Sequence, residues 1–279
     1  MGRRLIALSM GTLINTVPFY YTYVTRIRSI RGAMSYVWME AIPLVLAIAT
    51  FNIAASAWFV LFHWSFIGLY EIGYIFNDSA RTAVEATSVN RKAVISANRS
   101  ELLRVVVVKI AIFIFICVIN WWEFGWRPAA CYCVGGLCVL VVLLAHTRVG
   151  GTIRAGDPAR WVLFGWLACF KYAPALLACV AGSEAILLCL AFFSIYGVGR
   201  VIEYAIRKHR GAMPPSMLSI NTAWFIVAAP IGVIFASYST NEVSLYALYA
   251  GVASHHVKSS LFRLLCKGGT ESRAVAERI

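Results

Sequence analysis

Glu71, Asp78 and Glu85 stand seven residues apart in the stretch YEIGYIFNDSARTAVEATSVNRK, residues 70–92. The chain has only 12 acidic residues in 279, so three on one regular line are a concentration. Seven residues is close to two helical turns, so the three carboxylates share a face, flanked by Tyr74 and Asn77. Arg81 lies three past Asp78 and four before Glu85 and can pair with either. A second group lies in YGVGRVIEYAIRKHRG, residues 196–211, where Arg200, Glu203 and Arg207 recur at helical spacing beside Lys208, Tyr196 and Tyr204. Carboxylates hold magnesium through substrate phosphates, because this ion keeps few protein ligands. Arginines grip phosphate oxygens in pairs. Together the two groups carry the ingredients of a diphosphate site. The same residues have plainer readings. Asn77-Asp78 suits a helix cap or turn, and Arg81–Glu85 and Arg200–Glu203 suit surface pairs worth under about 1 kcal/mol.

The elements that must position these groups are apolar. The hydrophobic fraction is 61% and the charged fraction 13%, whereas soluble domains sit near about 45–50% and about 25%. This excess predicts an all-α polytopic transmembrane bundle, since lipid leaves every backbone amide to be paired within its own segment. The hydropathy excludes a soluble nucleic-acid binder, despite the net charge of +13. Runs bounded by charge predict eight spans, at 35–51, 54–76, 105–122, 129–147, 160–181, 185–204, 219–237 and 243–258, with room for a ninth, half-embedded segment. Basic residues crowd every second connection. Arg81, Arg91, Lys92, Arg99 and Arg104 follow the second span, and Arg207, Lys208 and Arg210 follow the sixth. The intervening connections hold few or none. The positive-inside rule then puts both termini, and both charged groups, in the cytoplasm.

The whole chain, 1–279, reads as one transmembrane domain. Residues 1–34 mix apolar and basic residues and suit an interfacial segment broken at Pro18; residues 259–279 suit a cytoplasmic tail. The start of the chain reads as mature protein rather than a cleaved leader. Eight cysteines lie mostly in apolar runs and read as packing residues. Two charges stand at membrane depth, Glu71 and Lys171, where a charge faces protein or a water-filled cavity. Lys171 is expected to face the cavity and bind phosphate. Aromatic residues such as Trp58, Trp64, Phe66 and Tyr70 suit either the wall of a lipid-chain pocket or ordinary packing.

Tyr74-Ile75-Phe76-Asn77-Asp78, closing the second span before a basic loop, resembles the first motif of the UbiA-type membrane prenyltransferases, N-D-x-x-D-x-x-x-D. Asn77, Asp78 and Glu85 match or conservatively replace motif positions; Arg81 stands at the middle acidic one. The family's second acidic motif follows its sixth helix, where this chain has Arg200, Glu203 and Arg207. The resemblance implies a bundle of about nine helices around a cytoplasm-facing cavity. It implies transfer from a diphosphate donor onto a lipid, with Mg2+ held by Asn77, Asp78 and Glu85. Catalysis would fall to Asp78, Glu85 and Glu71. Phosphate binding would fall to Asn77, Arg81, Lys171, Arg200, Glu203, Arg207 and Lys208. One subgroup moves phosphoribose onto a polyprenyl phosphate in cell-surface glycoconjugate synthesis, which implies an inner (plasma) membrane location and no nucleic-acid partner. The rival expectation is a transporter or flippase for a lipid-linked or small anionic substrate. It predicts spans broken at glycine or proline in two matching halves.

Overall fold

The computed structural model describes residues 16–23, 27, 30–81, 99–152, 158–180, 182–210, 217–254 and 256–257. They are helical almost throughout, with no strand among them. The elements are α1 (Ile30–Glu40), α2 (Ile42–Ala49), α3 (Ile53–Arg81), α4 (Arg99–Phe124) and α5 (Trp126–Thr152). They continue as α6 (Pro158–Phe170), α7 (Ala173–Cys179), α8 (Gly182–Phe192), a π-helical turn (Phe193–Gly197), α9 (Val198–Arg210), α10 (Met217–Tyr238) and α11 (242–254).

Six stretches are long and apolar enough to cross a membrane: Gly32–Ala49, Ile53–Phe76, Ser100–Phe124, Trp126–His146, Trp161–Cys179 and Gly182–Ile206. Each coincides with one of the first six expected spans. The last two expected spans correspond to shorter helices, α10 with its apolar part at Thr222–Tyr238, and α11. The outer faces are apolar too. Along α4 the exposed residues include Val107, Ile114, Phe115, Val118, Trp121 and Trp122. Water would not tolerate such a continuous patch, whereas lipid does. The architecture is that of a multi-pass membrane protein.

Helix α3 forms the axis of the bundle and packs against α2, α4, α5 and α7. Its buried face presents Phe59, Phe62 and Phe66; Phe62 meets Tyr132 of α5, and Phe66 meets both Tyr132 and Phe113 of α4. The Tyr132 hydroxyl needs a partner in this dry interior and donates to the Phe62 carbonyl at 2.8 Å.

Two spans are broken in their middles, for one reason. Proline has no amide hydrogen and crowds the carbonyl four residues back. Pro43 therefore interrupts the helix at Ala41, between α1 and α2, and Pro174 interrupts it at Lys171–Tyr172, between α6 and α7. Both prolines lie near the start of the second half-helix, where the missing N–H costs little. Gly135 of α5 lies against the Pro174 ring, where a side chain would collide with it. Three residues before each proline stands an ionisable side chain: Glu40 and Lys171.

The N-terminal stretch departs from expectation. Residues 1–34 were expected at the membrane interface, yet Pro18, Tyr21 and Thr22 are buried inside the bundle. Pro18 packs on Gly68 of α3, where an added β-carbon would come within 3.1 Å of its ring. The cause is a buried ion pair that the segment's own backbone helps to satisfy.

Candidate functional site

The two breaks bring Glu40 and Lys171 together. The Lys171 ammonium donates to Glu40 Oε2 and to the Tyr36 hydroxyl, and the two residues are 9% and 5% exposed. The other carboxylate oxygen, Oε1, accepts from the Tyr196 hydroxyl at 2.9 Å. Three rings surround the ammonium, with centroids at 4.6 Å for Tyr36, 5.4 Å for Tyr172 and 5.7 Å for Tyr70. A cation among aromatic faces gains from their quadrupoles as well as from the carboxylate. Tyr70 belongs to α3, Tyr172 to the α6–α7 break and Tyr196 to the π-helical turn, so four elements converge on one charge pair.

His63 of α3 stacks between Phe59 and Tyr172, with ring centroids 5.5 and 5.1 Å away. Its Nδ1 lies 3.2 Å from the Lys171 carbonyl. A carbonyl only accepts, so Nδ1 carries the hydrogen. The imidazole thus serves a backbone oxygen beside the helix break.

Arg200 follows the π-helical turn and donates through Nη1 to Glu203 Oε2 at 2.5 Å. The Glu203 side chain is 8% exposed and that of Arg200 36%. This is a half-sheltered pair rather than the surface pair the sequence also allowed. Arg200 lies within electrostatic reach of Tyr196, Glu40 and Tyr172. A guanidinium has five N–H donors, and the bond to Glu203 leaves most of them for an oxygen-rich ligand.

A second pair lies on another side of α3. Lys109 of α4 donates to Glu71 Oε2 at 2.6 Å, and both side chains are fully enclosed. Glu71 Oε1 accepts from the Thr22 backbone N–H at 2.7 Å. Lys109 also reaches the carbonyl oxygens of Thr16 at 3.5 Å and Val17 at 3.4 Å.

The expected site residues are therefore divided. Tyr196, Arg200 and Glu203 join the Glu40–Lys171 cluster. Glu71, expected to share a catalytic face with Asp78, is turned to Lys109 and the N-terminal segment. Lys171, expected to offer a free ammonium to phosphate, is engaged by Glu40. Asn77, Asp78 and Arg81 lie on the last turns of α3, just past Tyr74, and Arg207 and Lys208 near the end of α9; their side chains fall outside the description. Glu85 lies outside the described residues. Sequence reading missed Glu40, Tyr36, His63 and Lys109 as site residues. The available signal was the one used for Lys171, a charge inside an apolar run, and for Glu40 a proline three residues on.

Glu40, Glu71 and Glu203 are each neutralised by a base, and no cluster of metal-ligating side chains occurs among the described residues. Comparison with protein-family models, with curated proteins and with solved structures finds no match. What fold and site define is a class: a multi-pass helical protein with a buried, tyrosine-walled ion pair beside a half-exposed arginine.

Proposed function

We propose that the chain is a membrane-embedded transferase of the UbiA type. It takes a diphosphate donor and a polyprenyl lipid at the end of the bundle that carries the last turns of α3 and α9. One observation carries this reading. Tyr70 of α3 and Tyr196 of the turn before α9 meet on Glu40 and Lys171, one or two helical turns from Asn77-Asp78 and Arg200. The resemblance of Asn77, Asp78 and Glu85 to the family motif and the alternation of basic loops lend further support. That alternation favours eight spans with both termini in the cytoplasm, in the plasma membrane.

In the reaction, the bond between the donor's carbon and its diphosphate oxygen breaks, and a lipid oxygen or carbon takes its place. Arg200, aided by Arg207 and Lys208, holds the departing phosphate oxygens and offsets their growing charge. Glu203 fixes the arginine's direction. The Glu40–Lys171 pair holds the tyrosine wall that excludes water. Magnesium, where bound, would add charge neutralisation at the diphosphate. Asn77, Asp78 and Glu85 are the residues for it, as the motif they resemble implies; Glu40, Glu71 and Glu203 are already paired with bases.

The test is release of pyrophosphate by purified protein in lipid, with phosphoribosyl diphosphate or isoprenyl diphosphates as donors and undecaprenyl phosphate as one acceptor. Asp78→Asn and Arg200→Gln should each lower turnover by about 100-fold or more. Turnover at the parent rate in both variants would overturn the reading.

A second reading, a transporter of a lipid-linked or small anionic substrate, is favoured by the paired breaks at Ala41 and Lys171–Tyr172. Uptake of an unmodified substrate by proteoliposomes, without pyrophosphate release, would select it.

A further inference from the structure

We infer that residues 16–22 form a strap that docks reversibly across the bundle and shields the Tyr36 side of the Glu40–Lys171 cluster. Four observations point there. First, the strap is held to α3 and α4 through its own backbone: the Thr22 N–H on Glu71, and the Thr16 and Val17 carbonyls on Lys109. Second, its receptor is self-sufficient. Glu71 and Lys109 are bonded to each other at 2.6 Å, so the strap can leave without stranding an isolated charge. Third, Phe19 sits at φ 76°, in the left-handed region that a bulky side chain rarely adopts, so docking holds the backbone strained. It is the only non-glycine residue with positive φ among those described. Fourth, the Phe19 ring lies 5.2 Å from that of Tyr36, whose hydroxyl is one of the two acceptors of Lys171.

Docked, the strap closes the approach to Tyr36. Undocked, it removes Phe19 from Tyr36 and admits water to Lys109 and Glu71. The strap is thus a two-state cover, held by its backbone bonds to Glu71 and Lys109 and by burial of Pro18 and Tyr21, and opposed by strain at Phe19. That it gates a substrate's polar head rests on the site reading above; the docking equilibrium itself does not.

Hydrogen–deuterium exchange of the full chain in phosphatidylcholine–phosphatidylglycerol nanodiscs tests it without reference to turnover. Amides of residues 20–23 should be protected relative to free peptide, yet exchange about 10-fold or more faster than the core of α3, because local opening lies well below global unfolding. Glu71→Gln should speed their exchange by about 10-fold, as expected when a hydrogen bond to a charged acceptor weakens. Thr22→Pro removes the donor while leaving the ion pair intact, and should speed exchange at Tyr20 and Tyr21 likewise. Exchange in step with α3 would make the segment permanent core, and exchange at the free-peptide rate would mean it does not dock. Parent-like exchange in both variants would remove the latch. Any of these overturns the proposal.

Discussion

Replacing Lys171 with Met tests whether the Glu40–Lys171 pair holds the four elements together. The pair is nearly dry, with side chains 11% and 7% exposed, so solvent and salt screen it little. Lys171→Met strands a buried carboxylate, which keeps the Tyr196 hydroxyl at 2.9 Å but loses its hydrogen-bonded cation, leaving Arg200 only at longer range. Glu40→Gln strands an ammonium that keeps Tyr36 and three ring faces. Such faces contribute about 0.5–2 kcal/mol, short of the several kcal/mol that an ion loses on leaving water. Each single change should therefore cost about 3–5 kcal/mol. The double change, Glu40→Gln with Lys171→Met, leaves no buried charge and should cost less than the sum by about 2 kcal/mol or more, the coupling expected of side chains in contact. The assay is reversible unfolding in mixed micelles, followed by tryptophan emission and analysed as a double-mutant cycle. Single changes costing under about 1 kcal/mol, or effects that add within about 0.5 kcal/mol, would refute the reasoning.

Other consequences can be tested in the same preparation. Tyr196→Phe deletes a donor to the Glu40 carboxylate without changing shape, and should lower stability by about 1.5–3 kcal/mol in the same unfolding assay. Gly135→Leu drives a side chain into Pro174 and should destabilise by about 1–3 kcal/mol, read as a lower midpoint of thermal unfolding. Arg200→Gln should weaken binding of inorganic pyrophosphate by about 10-fold or more in isothermal titration, whereas Arg127→Gln, on the exposed first turn of α5, should leave it unchanged. Chelation of divalent cations should abolish pyrophosphate release if Asn77, Asp78 and Glu85 hold magnesium, and re-addition of Mg2+ should restore it.

Much of the fold was legible because lipid imposes one rule on every span. Runs of apolar residues bounded by charge marked, within a few residues, the six stretches long and apolar enough to cross a membrane, including Ile53–Phe76 and Trp161–Cys179. The breaks were less legible. Pro43 and Pro174 lie inside apolar runs that read as continuous spans, and only the structure shows that the two do the same work. The pairing of charges was not legible at all. Glu40 and Lys171 lie 131 residues apart, and Glu71 and Lys109 38 apart, and hydropathy carries no record of which charge meets which. The stripe through Glu71, Asp78 and Glu85 rests on a period of 3.6, but a stripe winds past several neighbours. Its deep end meets α4, while Tyr70 and Tyr74, one residue or one turn away, look toward Tyr36 and Lys171. The Arg200–Glu203 pair was legible because charges recur there at helical spacing in a polar segment, where periodicity is least disguised by lipid-facing residues.

The wide turn at Phe193–Gly197 gives the sixth span a property that a uniform helix lacks. A π-turn accommodates one extra residue without breaking the rod, and so acts as a phase shifter: everything after it is rotated by about 100° relative to a regular continuation. Removing a single residue there, for instance Ser194, would let the span rewind as plain α-helix. Residues on the far side would keep their sequence and their helicity. Arg200 and Glu203 would nonetheless swing round by roughly a quarter of a circle, off the tyrosine-walled pair and toward α6 or α10. Lineages that gained or lost one residue at this position would thereby have re-aimed an entire basic arm in one step, with the hydrophobic rod left intact.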